Sequence, residues 1–250
     1  MRQFRKWTRM AVVWGAVGGL AACTNAAQQQ AEHLKRGTAL FQAGEYQKAR
    51  LEFQNVLQIN PKNADALLGL SEDYGHLKDW RHAVGGYRRV LELTPDNIEA
   101  KVRLAKIYVM GGAADQAKKL VREAAASRPD DPDVLTLQAA LAAKHGDDAA
   151  AVSKVKAALA KDPYHLDAAM LLSSIYVHKG RYDAAATLLE KVAKAHPRDI
   201  PLRLAMADVY DHAKNYHAAA ARLKQVIDLD PANLDQRIRL ARYEAHLGKT

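Results

Sequence analysis

The residues of this 250-residue chain whose types could do chemistry fall in a few places. A single cysteine, Cys23, closes the apolar run "GGLAAC". A thiolate serves as a nucleophile or a metal ligand, but one cysteine forms no internal disulfide. Asp208, Asp211 and His212 lie within about one helical turn of each other, and paired carboxylates beside an imidazole can perform acid–base work. No nucleophile, metal-ligand motif or glycine-rich phosphate loop accompanies them, so the cluster reads as a solvated acidic patch and no catalysis is expected. The terminal "GKT" lacks the glycine that a phosphate loop places five residues before its second glycine; Tyr243 stands there instead. No cofactor and no metal site is expected.

The surroundings of Cys23 give it a different meaning. Arg2, Arg5, Lys6 and Arg9 make a basic head, and Met10–Ala22 is an apolar segment of small and aliphatic residues. That segment is shorter than the roughly 20 residues a membrane span requires. A basic head, a short apolar core and small residues before a cut site describe a secretory signal peptide. Leu20-Ala21-Ala22-Cys23 resembles the lipobox of bacterial lipoproteins. The resemblance implies cleavage between Ala22 and Cys23, acylation of Cys23, and a signal peptide over residues 1–22. Thr24 at the next position, where aspartate is absent, implies by the same resemblance transport to the outer membrane, with the protein facing the periplasm. Residues 23–30 are then a lipidated cysteine and a short polar tether.

Composition removes other classes. Apolar residues make up 49% and charged residues 26%, which argues against disorder. Aromatics at 6% and abundant alanine favour helices over strands. The net charge is +9, but the leader holds four of those charges, and no basic run interleaved with aromatics appears. Nucleic acid is therefore not an expected partner, and no small-molecule substrate is expected.

The elements that position these residues follow from self-similarity. Prolines stand at 61, 95, 129, 163, 197 and 231, at a constant spacing of 34. Twelve residues before each lies an alanine: Ala49, Ala83, Ala117, Ala151, Ala185 and Ala219. Tyrosine recurs at Tyr74, Tyr108, Tyr176 and Tyr210, with Ala142 in the intervening unit. Gly44, Gly112, Gly146, Gly180 and Gly248 close the first helix of their units. Proline cannot continue a helix, glycine accepts the geometry of a tight helix terminus, and alanine lets two helices approach closely. Short polar or acidic residues at Asn63, Asp65, Glu99, Asp133, Asp167 and Asp235 suit the next helix start. Segments such as "LFQAGEYQKARLEFQNVLQINP" resemble the tetratricopeptide repeat. The resemblance implies an all-α, right-handed superhelical solenoid over residues 31–250, with six full helix-turn-helix units and the first helix of a seventh. That last helix, with Arg237, Arg239, Arg242 and Glu244, suits either a solvating cap or a chain that continues.

In this family the first helix of each unit, helix A, lines a concave groove. Its fifth position holds Leu34, Leu68, Val102, Thr136, Met170, Leu204 and Ile238, an almost wholly apolar column. The lysines and asparagines with which chaperone adaptors clamp carboxylates are missing from it, which argues against that role. The thirteenth position holds Gln42, His76, Met110, Lys144, His178, His212 and His246. Histidine changes charge in the physiological range, so this column is expected to tune partner binding with pH or simply to line the groove as polar residues. Equivalent residues in stacked repeats lie roughly 10 Å apart, too far for a shared zinc ion with ligands at about 2 Å. The expected function is protein–protein binding by a lipid-anchored periplasmic scaffold. By resemblance it belongs with the repeat lipoproteins of exopolysaccharide export and PEP-CTERM/exosortase systems. The alternative is a pilotin-like lipoprotein of type IV pilus secretin assembly, and the weakest reading is a cell-wall enzyme using the Asp208–His212 face.

Overall fold

The computed structural model describes residues 14–248, with side chains from residue 25. Thirteen α-helices and no strand are found among them: α1 (Trp14–Gln42), α2 (Tyr46–Ile59), α3 (Ala64–His76), α4 (Trp80–Leu93), α5 (Ile98–Met110), α6 (Ala114–Ser127), α7 (Pro132–Lys144), α8 (Asp148–Lys161), α9 (Leu166–His178), α10 (Tyr182–Ala193), α11 (Ile200–His212), α12 (Tyr216–Leu229) and α13 (Leu234–His246). Odd-numbered helices are the A helices of the repeat units and even-numbered ones the B helices. The chain divides into two compact units, one ending at Ile107 and one starting at Tyr108.

The leader, residues 1–13, lies outside the described residues, as do the side chains of Ala22 and Cys23, on which the expected signal cleavage and lipidation fall. The stretch read as a polar tether differs from that expectation in its backbone, because α1 runs through it unbroken. Alanine and glutamine are good helix formers, and no glycine or proline interrupts residues 23–30. Among the described residues no helix is long and apolar enough to cross a membrane.

The repeat devices work as their residue types require. All six alanines of the B helices, from Ala49 to Ala219, are fully buried. The caps are more regular than the acidic residues of the first turns suggest. Asn63, Asn97, Asp131, His165, Asp199 and Asn233, which share one register of the repeat, accept a hydrogen bond from the amide three residues on, at 2.8, 2.8, 3.3, 3.2, 2.7 and 3.4 Å. Asp65, Glu99, Asp133, Asp167 and Asp235 sit inside the first turn, where the helix dipole favours them. The glycine column has positive φ throughout, 77° at Gly44 and 70° at Gly180. Lys78 and Lys214 occupy the same register at φ 61° and 56°, a conformation that costs a residue with a Cβ.

In the first unit the ring of Phe53 fills a slot between α1 and α3 that exists because Gly37 and Gly69 have no side chains. A Cβ at either position would come within 2.8 and 2.5 Å of that ring. In the second unit the largest fully buried side chains fall in two clusters: Leu189, Leu202 and Met206 join α10 to α11, and Leu223 joins α12 to α11.

Candidate protein-binding surfaces

The apolar fifth-position column does not form one open stripe. Leu34 and Leu68 line a solvent-accessible cleft of about 310 Å³ between α1 and α3, together with Thr38, Phe41 and Phe53. Val102, expected in the groove, is instead buried. Thr136 is buried too, its hydroxyl donating to the Pro132 carbonyl at 2.7 Å. Met170 and Leu204 are half-buried and pack on the core clusters of the second unit. Ile238 on α13 and Met110 stand exposed, at 46% and 58%. The reason is geometric: neighbouring A helices touch within each unit, as α1 and α3, α7 and α9, and α9 and α11 do, so the fifth position often falls in that seam rather than on the open face.

One side of the α1–α3 cleft is acidic. Asp65 and Glu72 line it. Glu72 accepts from the Arg103 guanidinium at 3.0 Å, and Arg103 also reaches Glu99 at 3.3 Å. Burial pushes the Glu72 carboxyl above its ordinary range, and the nearby Arg103 offsets only part of that. Behind the cleft, Glu52 of α2 is gripped by His33 at 2.6 Å and Arg36 at 3.2 Å, both from α1. Burial raises its pKa, but these two bonds outweigh burial and pull it below the usual value.

The histidine column has aromatic partners that lie off the repeat register. His76 stacks on Tyr46 at 4.4 Å between centroids and meets Phe41 edge-on. His212 stacks on Tyr182 at 6.1 Å, and His246 meets Tyr216 edge-on at 4.5 Å. Each tyrosine opens the B helix of the unit preceding its histidine, at the same offset in all three pairs. His178 has Asp148 at that place instead, and Lys179 pairs with Asp148 at 3.0 Å. For His76, burial lowers the pKa and the charges of Arg103 and Lys106 lower it further. These rings join successive hairpins, and their edges remain exposed at the A-helix ends.

Asp208 and Asp211 are solvent-exposed, as a solvated acidic patch requires, but they are not unpaired. Arg239 of α13 reaches Asp208 at 2.5 Å and Asp211 at 3.9 Å, and also donates to the Tyr243 hydroxyl. The two carboxylates tie α13 to α11. Among the described residues no group of three or more histidine, cysteine, aspartate or glutamate side chains is placed to hold a metal ion.

One residue passed over in the sequence is Asp73. It is fully buried, and neither carboxylate oxygen has a hydrogen-bond partner among the described residues. The same register in later units holds Ile107, Leu141, Ile175, Val209 and Tyr243. Burial raises its pKa from 3.8 to about 6, against a weaker opposing pull from Arg50 and with a push from Glu72.

Family models of the tetratricopeptide repeat match residues 76–141 and 142–209, with further repeat models at residues 30–63 and 200–233. The chain belongs to the tetratricopeptide-repeat family. No curated protein matches it by sequence. Solved structures share its fold. The hetero-tetramer Cut9–Hcn1 of the APC/C matches at TM-score 0.71 and 20% identity over 86% of this chain, which spans 42% of the matched chain. PilF of Pseudomonas aeruginosa matches at TM-score 0.58 and 16% identity, covering 87% of this chain and 99% of its own. PilW, described as a type IV pilus biogenesis factor, matches at TM-score 0.63 and 19% identity over 84% of this chain and 98% of its own.

Proposed function

We propose that the chain is a protein-interaction scaffold that seats partner polypeptides against its A helices, and that Cys23, once acylated, holds it to the periplasmic side of the outer membrane as part of a cell-envelope assembly. The observation that carries the binding role is the α1–α3 cleft, where Leu34, Phe41 and Leu68 leave apolar surface open to solvent beside Asp65 and Glu72. Apolar surface kept open beside fixed charge is what a specific partner segment needs. The anchoring role rests on Leu20-Ala21-Ala22-Cys23 behind a basic head. A single acyl chain binds membranes marginally, and the several chains of a lipoprotein bind stably.

For the pathway, the pattern of lipobox, short polar stretch and immediate repeats supports exopolysaccharide export or PEP-CTERM sorting. A second reading, a pilotin-like role in pilus secretin assembly, draws on PilF and PilW, proteins of similar chain length matched over nearly all of their chains. Deleting the gene separates the two: lost polysaccharide with normal pili supports the first, and lost pili with normal polysaccharide defeats it. Capture of partners by the lipidated protein tests the scaffold itself. Leu34→Glu with Leu68→Glu is expected to release the captured partner; full retention contradicts the role of the cleft.

A further inference from the structure

Ala142 stands where Tyr176 and Tyr210 stand in the next two units. In the last of these, the Tyr210 ring bridges two helices and its hydroxyl donates to Glu190 at 2.8 Å. Two repeats earlier, Ala142 and Arg122 hold the places of Tyr210 and Glu190, and no ring spans them. A cavity of about 330 Å³ opens there between α6 and α7, floored by Val121, Leu141 and Ala142.

Two more departures from the repeat converge on the same cavity. Gln138 lines it in the register of Leu104, Leu172 and Met206, and its Oε1 is buried without a hydrogen-bond partner. Lys118 lines it in the register of Val152, Ala186 and Ala220. With Arg122 and His145, Lys118 makes a rim that contains no acid. Neither Lys118 nor Arg122 forms an ion pair among the described residues, although cations elsewhere in this unit do, such as Lys224 with Glu244 at 2.9 Å.

We propose that this cavity is a docking site for a partner protein segment that presents a tyrosine side chain beside an aspartate or glutamate. The ring takes the space an internal tyrosine would fill. The neighbouring carboxylate meets Lys118 and Arg122, the cations of the acid-free rim. The site uses no residue of the α1–α3 cleft and adds a second specificity to the scaffold.

Titration of the full chain with acetyl-Asp-Tyr-amide, followed by the methyl resonances of Val121 and Leu141, tests the assignment. Saturable shifts are expected. Acetyl-Asp-Ala-amide is expected to give none, and acetyl-Lys-Tyr-amide to bind about tenfold more weakly. Ala142→Tyr fills the cavity and is expected to abolish the shifts. Arg122→Glu, a surface change that leaves the fold intact, is expected to reverse the preference between the Asp and Lys peptides even if Ala142→Tyr folds poorly. No saturable shift, or the same charge preference in Arg122→Glu, overturns the site. Tighter binding of free 4-hydroxyphenylacetate than of the Asp-Tyr peptide overturns the assignment to a protein partner.

Discussion

Asp73 is the residue at which this chain departs furthest from its own pattern. A carboxylate fully removed from water with no partner destabilises the fold when ionised. Its folded pKa, about 6, lies above the ordinary 3.8, so between these values the folded chain keeps a proton that the unfolded chain releases. Stability therefore falls as pH rises across that window, and the full penalty is present at neutral pH. Asp73→Val, which restores the aliphatic character of Ile107 and Val209, is expected to raise stability at pH 7 by about 2–3 kcal/mol and to flatten the slope between pH 4 and 6. Denaturant titrations at several pH values measure both. An unchanged slope would show that Asp73 finds a partner in solution.

At the scale of elements, glycine is informative only where something fills the space it leaves. Alanine replaces glycine inside a helix with a gain of up to about 1 kcal/mol. Gly85 of α4 has open space around it, so Gly85→Ala is expected to show that gain. At Gly69 of α3 the new methyl group meets the Phe53 ring, which Gly37 pins from the other side. Overpacking there costs typically 1–3 kcal/mol, so Gly69→Ala is expected to lose stability and to narrow the cleft. Thermal unfolding of the pair reads the two signs; a gain at both positions would contradict the slot.

The helices and their ends were legible in the sequence because proline, alanine and the capping residues act locally and recur once in every repeat, and glycine recurs in most of them. The binding surfaces were not. Whether Thr136 is buried and Leu68 open depends on how neighbouring A helices meet, which the column of fifth positions does not encode. The aromatic partners of the histidines stand in the preceding unit but off the repeat period, so matching equivalent positions misses them. In the sequence Arg239 looks like part of a solvating face because its partners, Asp208 and Asp211, belong to the preceding unit. Asp73 and Ala142 were visible as exceptions in their registers, but only packing shows that one is a buried charge and the other a cavity.

For the whole molecule, the proposed function puts two kinds of information in separate parts of the chain: an address in the leader and Cys23, and recognition in the repeats. Cys23→Ser is expected to abolish acylation and leave an unprocessed precursor, read by intact mass and by fractionation of membranes. A mature protein of normal size from that variant would refute the lipobox reading. Recognition is the central claim, and a photoreactive phenylalanine placed at Leu68 in cells tests it most directly. The account predicts crosslinks to a specific envelope protein from position 68, and none from the same residue placed at Arg89, which is exposed on α4. Equal crosslinking from both positions, or none from position 68, would contradict it.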